Sequence, residues 1–352
     1  MLERVLLAAL DASGEDLKSA ASFALGGVAA GNRARFLPTI LAKMDEMPTH
    51  RYSLLCSLGE VIRAGEPEDD DDDDGGGDGD ASSAAKTAQL SDAELDQILD
   101  VLFKNAGSDE EGVRNVTAEC LGRLAARRPT RLLPELTSRL DPALHPDAST
   151  RVTAVTAVKH LARAVAKRKD AVLSALVAPC LASCVVGPNA ALSDEDVGVR
   201  RVLRAAAQTL SAAAHADATL VTPSLPDALP ALIAKTEILK DLVRVVDLGP
   251  FKHTVDDGLD LRKAAFECLD TLLDACLHPT KNAGAMTRLG AAAGYLDALT
   301  SGLGDQYDVK MVAHAVLVKL CRGDAKRDAR ERLAALCEPM KKTLTAKLKS
   351  DA

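Results

Sequence analysis

One hydrophobic pattern returns along the chain at irregular intervals. Starting from Leu17, Val113, Thr150, Val199, Leu261 and Val309, an apolar residue recurs eight positions on, at Leu25, Leu121, Val158, Ala207, Leu269 and Leu317. Another recurs eleven positions on, at Val28, Leu124, Leu161, Leu210, Leu272 and Leu320. At about 100° per residue these offsets fall in a single stripe, so each copy predicts an amphipathic helix that buries the stripe against a neighbour. A weaker copy starts at His50, with Arg51, Leu58 and Val61. The residue after each of the six starts is basic: Lys18, Arg114, Arg151, Arg200, Arg262 and Lys310. Acids stand just before or within the first turn, at Asp16, Glu111, Asp147, Asp196, Asp260 and Asp308, where they can cap the helix or meet its positive end. The six basic residues are therefore expected to form a structural ladder, pairing with acids of neighbouring repeats.

Several copies follow a second apolar stretch that carries a proline, such as Arg131 to Leu140 with Pro134, so the unit is two antiparallel helices. This resembles a HEAT repeat. The starts are separated by 33, 63, 37, 49, 62 and 48 residues, and the longest gaps exceed the usual unit of about 40–47 residues, so they must hold insertions. The first 63-residue gap holds the acidic run Glu66 to Asp80. The 62-residue gap holds a segment of a different kind. Leu242 to Leu248 is rich in Val and Leu, and beyond Gly249-Pro250 the residues Phe251, His253 and Val255 alternate with Lys252 and Thr254, which predicts a β-hairpin. From Asp257 the period becomes helical, with Leu261, Ala264, Ala265, Leu269 and Leu272 on one face and Arg262 and Lys263 turned away. An isolated hairpin is marginal in water and gains by leaning on a partner. Leu242, Val243, Arg244, Val245, Phe251, Lys252, His253, Thr254 and Val255 are therefore the candidate partner-binding surface, with Phe251 as its aromatic anchor. The competing reading is a hairpin packed on its own repeats as a brace.

The fold class expected is an all-α solenoid of about six to seven helical hairpins with one β-hairpin insert. Repeats are assigned to 1–65, 91–236 and 237–349, with a disordered acidic linker over 66–90. Composition agrees: the chain has 352 residues, 47% of them hydrophobic, yet no Trp, five Phe and three Tyr, so Ala, Leu and Val carry the core and favour tightly packed helices. Removing the ten acids of the acidic run from the net charge of −8 leaves a remainder near +2.

Candidate chemistry is sparse. Eight cysteines sit mostly in apolar helical patterns and are read as reduced and intracellular. Cys180 and Cys184 share a helix face, but no second pair follows at zinc-site spacing, so no metal is expected. The histidines form no catalytic motif, and no cofactor or enzymatic activity is expected. Gly26, Gly27 and Gly31 precede no Gly-Lys-Ser/Thr, which leaves close helix packing as their role. The uncharged run Ala171 to Ser193 is interrupted by Pro179, Gly187, Pro188 and Asn189, too soon for a membrane span. The basic residues near the C-terminus lack stacking aromatics, so no nucleic-acid partner is expected. Leu2 to Leu10 and the helix through Leu333, Leu336 and Leu344 leave apolar faces without a polar capping repeat, as in a fragment of a longer array.

The stretch GPFKHTVDDGLDLRKAAFEC, Gly249 to Cys268, resembles the C-terminal region of the cullin-associated, neddylation-dissociated proteins, which exchange substrate receptors on cullin-RING ubiquitin ligases. DLKSAASFALGGVAAGN (Asp16 to Asn32), EEGVRNVTAECLGRL (Glu110 to Leu124), RRVLRAA (Arg200 to Ala206) and YDVKM (Tyr307 to Met311) resemble the same family in the same order. The resemblance implies the C-terminal arch of a longer superhelix that grips the N-terminal repeats of a cullin. It also implies a projecting hairpin, residues 242–255 here, that occupies the space of the adaptor carrying a substrate receptor. The implied role is a non-catalytic regulator of SCF-type ligase assembly, cytoplasmic and nuclear. A generic HEAT scaffold or transport-type adaptor is the alternative, and the hairpin sequence separates the two. The family's N-terminal arch has no counterpart in this chain, and His278 to Tyr295 departs from the family's pattern.

Overall fold

The computed structural model describes residues 2–64, 90–191, 195–247, 249, 251–323 and 325–345. The acidic run, expected as a linker, lies outside the described residues. The chain forms two compact units that meet in sequence at Arg128 and Pro129.

The first unit contains α1 (Leu2–Ala9), α2 (Glu15–Gly31), α3 (Arg33–Glu46), α4 (Arg51–Arg63), α5 (Asp92–Asn105) and α6 (Glu111–Arg127). Helices α2, α4 and α6 pack side by side as one layer, with α3 and α5 behind them. The repeated stripe supplies the core: Leu25, Leu58, Val61, Val113, Leu121 and Leu124 are buried. Leu17 departs from the pattern. It lies in the first turn of α2 and is 54% exposed. Gly26 is where α2 meets α4 most closely, since a Cβ there would lie 2.5 Å from Glu60 Cβ and 2.6 Å from the Ser57 carbonyl oxygen. Gly27 and Gly31 face open space, so close packing accounts for only the first of the three.

The second unit repeats the design at greater length. Its elements are α7 (Pro129–Ser138), α8 (Ala148–Arg168), α9 (Ala171–Val186), α10 (Val197–Ala216), α11 (Ala218–Val221), α12 (Leu225–Ala234), β1 (Val243–Asp247), β2 (Lys252–Asp256), α13 (Leu259–Ala275), α14 (Ala285–Arg288), α15 (Ala291–Gly302), α16 (Tyr307–Arg322), α17 (Lys326–Glu331) and α18 (Leu333–Thr345). Helices α8, α10, α13 and α16 form one layer, and α7, α9, α12, α15 and α18 form the other. All four helices of the first layer are ones that the repeated stripe predicts. Removing the stripe from water is the main force holding them, at about 25 cal/mol per Å² of apolar surface. Tyr295 crosses between layers and donates its buried hydroxyl to the Leu269 carbonyl oxygen at 2.9 Å.

Several local expectations are refined. Helix α9 continues through Pro179 and ends at Val186 before Gly187, a length of 16 residues. Among the described residues no helix is long and apolar enough to cross a membrane. Asp147 and Asp196 cap α8 and α10, accepting from the backbone N–H of Thr150 at 2.7 Å and of Val199 at 3.0 Å. Asp16, Glu111, Asp260 and Asp308 instead lie in the first turns of their helices, where a carboxylate still meets the positive end of the helix dipole.

Candidate functional site

The segment between α12 and α13 is a two-stranded antiparallel hairpin. Val243 pairs with Asp256, Arg244 with Val255, Val245 with Thr254, Val246 with His253 and Asp247 with Lys252. The strands sit one residue away from the expected ones. Leu242 belongs to a short 3-10 turn, Lys240–Leu242, and is buried at the hairpin base, where it packs on Gly258. Phe251 stands in the connecting loop, just ahead of β2. Gly249 turns that loop with φ of 80°, a left-handed conformation that glycine adopts without strain, and its N–H bonds Asp247 Oδ1 at 3.1 Å.

The strands do not show the one-sided burial of a sheet lying on a core. Arg244, Val245, Lys252, His253 and Thr254 are all exposed, and only Val243, Val246, Val255 and Asp256 are half-buried. Val245 is 63% exposed and Phe251 73%. Two large apolar side chains therefore stand in water on an element whose strands pair mainly with each other. Scattered surface hydrophobics are ordinary, and these two stand in one short hairpin.

The base of the hairpin is as buried as its tip is exposed. Arg262, in the first turn of α13, donates to Asp256 from Nη1 at 3.1 Å and from Nη2 at 2.6 Å. It donates to Asp305, in the loop entering α16, from Nε at 2.9 Å and from Nη2 at 3.0 Å. The three side chains are only 3–5% exposed. Asp256 also accepts from the Gly258 N–H at 3.0 Å, and Asp305 from the Gln306 N–H at 2.7 Å, so the carboxylates are well satisfied. Hydrogen bonding to Arg262 holds the Asp256 carboxyl below the usual carboxylate range. Burial works against the charge on Arg262, but its bonds to both aspartates outweigh that and raise its proton affinity further. A second clasp, Arg244 to Asp257 at 2.9 Å, is exposed, and the Asp257 N–H bonds the Leu242 carbonyl oxygen at 3.0 Å.

The other ladder residues show what is particular about Arg262. Arg114 donates to the carbonyl oxygens of Ser108 and Asp109, Arg151 to those of His145 and Pro146, and Arg200 to that of Glu195. Each folds back onto the loop that enters its own helix. Lys18 pairs with Glu15 in its own helix at 2.9 Å, and Lys310 is half-buried. Besides Arg262 with Asp305, bases outside the ladder form pairs between repeats: Arg204 reaches Asp260 at 3.1 Å, Lys263 reaches Asp308 at 2.9 Å, and Lys319 reaches Asp270 and Asp274 at 2.7 and 2.6 Å. Sequence reasoning did not find Asp256 and Asp305. Their signal was position, four or five residues ahead of a repeat start, where the other arginines find backbone carbonyls.

Two further surfaces accompany the hairpin. In the second unit a groove of about 710 Å³ runs over α8, α10 and α13, with Arg163, Lys167, His215 and Glu267 on its lining. In the first unit a groove of about 260 Å³ over α2, α4 and α6 is flanked by Phe23 and Tyr52, with the Arg63 guanidinium 5.8 Å from the Phe23 ring centroid. Buried thiols are set against reactivity, since burial pushes Cys120 up to about 12 and Cys276 up to about 11. Among the described residues no group of three or more His, Cys, Asp or Glu is placed to hold a metal ion.

Helical pairs in two layers, with arginines folded onto the loops between helices, define a helical-repeat protein of the HEAT type. Residues 220–352 match the family model TIP120, described as TATA-binding protein interacting (TIP20). The chain is 38% identical over 351 residues to cullin-associated NEDD8-dissociated protein 1 of Arabidopsis thaliana, covering 100% of this chain and 25% of that protein. It is 36% identical to cullin-associated NEDD8-dissociated protein 2 of Mus musculus, over 99% of this chain and 24% of that one. It is 31% identical to a protein of Emericella nidulans named cullin-associated NEDD8-dissociated protein 1, C-terminal part, over 99% of this chain and 29% of that one. From end to end the chain is a homologue of the cullin-associated NEDD8-dissociated proteins, and it spans about a quarter of the length of these relatives.

Proposed function

We infer that this chain is a non-catalytic cullin-binding module that regulates the assembly of cullin-RING ligases. The helical layers grip the N-terminal repeats of a cullin. The projecting hairpin takes the space that an adaptor and its substrate receptor need, so the two compete for one cullin, in the cytoplasm and nucleus. The names of the homologues support the cullin as partner. The observation that carries the hairpin's part is its form, an exposed ribbon bearing Val245 and Phe251 on a buried, charge-locked base. A rigid ribbon with apolar anchors loses little conformational entropy on docking, which suits it to exclude a competitor.

Calorimetric titration of the chain into a recombinant cullin N-terminal region, with and without pre-bound adaptor, tests this reading. The expected result is saturable binding that pre-bound adaptor suppresses. Absence of heat and of co-elution would sink the cullin reading. Binding unaffected by adaptor would sink the competition.

A further inference from the structure

Among the ladder arginines, Arg262 joins three elements through side-chain carboxylates. Asp256 is the last residue of β2, Arg262 lies in the first turn of α13, and Asp305 lies in the loop entering α16. Both edges of the guanidinium are used, and Nη2 serves both carboxylates. A lysine ammonium has no such planar fork and cannot reproduce this arrangement. Removing the cation would leave two buried carboxylates facing each other, so the three groups hold together or not at all. The exposed Arg244–Asp257 pair cannot substitute, because solvent-exposed ion pairs contribute little.

We propose that Arg262 is the positioning residue of the hairpin: through Asp256 and Asp305 it fixes β1 and β2 to the α13–α16 repeat and so sets the angle at which Val245 and Phe251 are presented. This rests on the reading of the hairpin as the competing element. The lever is long for its base. A five-residue strand spans about 17 Å, so a tilt of about 10° at the base carries the tip about 3 Å, beyond the tolerance of a packed interface. The angle of the ribbon therefore depends on a loop of the following repeat, 49 residues downstream of Asp256, to which the backbone of the hairpin makes no sequence-local connection.

Hydrogen–deuterium exchange of the whole chain, read by mass spectrometry, tests this. In Asp305→Asn, a change outside the hairpin sequence, amides of β1 and β2 should exchange faster by about tenfold or more, while amides of α8 keep their protection. Arg262→Lys should do the same. Asp308→Asn, which breaks the exposed pair with Lys263 at the start of the same helix, should leave the hairpin unchanged. Unaltered hairpin protection in a folded Asp305→Asn chain overturns the proposal. Should both network variants fail to fold, the wild-type chain in rising denaturant decides: the hairpin must open together with the first turns of α13 and α16, and a separate, easier opening overturns the proposal.

The functional consequence has its own readout, with a recombinant cullin N-terminal region as probe. Asp305→Asn should bind it within about threefold of wild type, while adaptor should bind the chain-loaded cullin region about tenfold more tightly than it binds the wild-type complex. Equal adaptor affinity for the two complexes removes the positioning role. A wild-type chain that ignores the cullin removes the functional reading instead, and the exchange experiment still judges Arg262.

Discussion

At the scale of single residues, the same sequence feature has very different consequences according to where its side chain ends. Lys18 and Arg151 occupy equivalent positions, yet Lys18 makes a pair within its own helix whose Glu15 partner is almost fully in water. Arg151 is buried and carries the His145 and Pro146 carbonyl oxygens at 2.8 and 2.7 Å. Lys18→Ala should change the unfolding free energy by less than about 0.5 kcal/mol. Arg151→Ala removes a buried side chain that donates two part-buried hydrogen bonds and should cost about 1–3 kcal/mol. Urea titration of both variants checks the contrast, and equal effects would contradict it. The glycines divide in the same way. Gly26→Ala forces a methyl into Glu60 and the backbone at Ser57, with an expected cost of about 1–3 kcal/mol, whereas Gly27→Ala meets nothing and should be neutral or slightly stabilising in a helix. The basic repeat was legible because it recurs. Whether a given base would meet a carbonyl or a carboxylate was not, since that depends on how each preceding loop folds back.

At the scale of elements, periodicity performed best where a helix buries one stripe, as in α6, α8, α10, α13 and α16. It was least informative at ends and loops. Each hairpin strand begins one residue later than expected: Leu242, apolar and next to a Val run, reads as strand but is drawn into the base against Gly258, and Phe251 stands in the connecting loop. Pro179 interrupts the uncharged run by sequence, yet α9 packs on both α8 and α10 and continues through it to Val186. Capping gives a clear expectation: Asp147→Ala should cost about 1 kcal/mol, and Glu111→Ala, which removes a first-turn charge without a cap bond, only a few tenths. Acid should act through the same groups. At Asp147 burial opposes the charge, but bonds from Thr150 and Ser149 outweigh it, and at Asp256 the bond from Arg262 leads, so both carboxyls are held below their unfolded values. A depressed folded value means stability that is present above the unfolded pKa of about 3.9 and lost as pH falls through the folded one. The melting temperature should therefore fall below about pH 4, and Asp256→Asn should show a shallower acid limb than wild type. Thermal melts from pH 7 to pH 2.5 check this.

At the scale of the whole molecule, the question left by the sequence was whether the hairpin braces its own repeats or reaches for a partner. Apolar residues on a strand look alike in both cases, because alternation shows only that a ribbon exists, and not what covers it. Exposure and the cost of truncation bear on the choice. A brace would bury Val245 or Phe251 against a helix, and its truncation would cost as much as a core deletion, about 2–5 kcal/mol. Here the buried parts are Leu242 and the Asp256–Arg262–Asp305 cluster, while Val245, in the middle of β1, and Phe251, in the connecting loop, are in water. Deleting residues 242–255 whole would disturb both parts together, since it removes Leu242 and leaves Asp256 without its strand. The double variant Val245→Ala/Phe251→Ala touches only the exposed part. Its unfolding free energy should stay within about 0.5 kcal/mol of wild type, because neither side chain leaves a cavity. Its ability to compete with adaptor for the cullin N-terminal region should nonetheless fall by about tenfold or more, as expected when anchors near an interface centre are cut back. A large loss of stability with competition intact would return the hairpin to the role of brace. Unchanged stability with lost competition would place the partner contact at Val245 and Phe251.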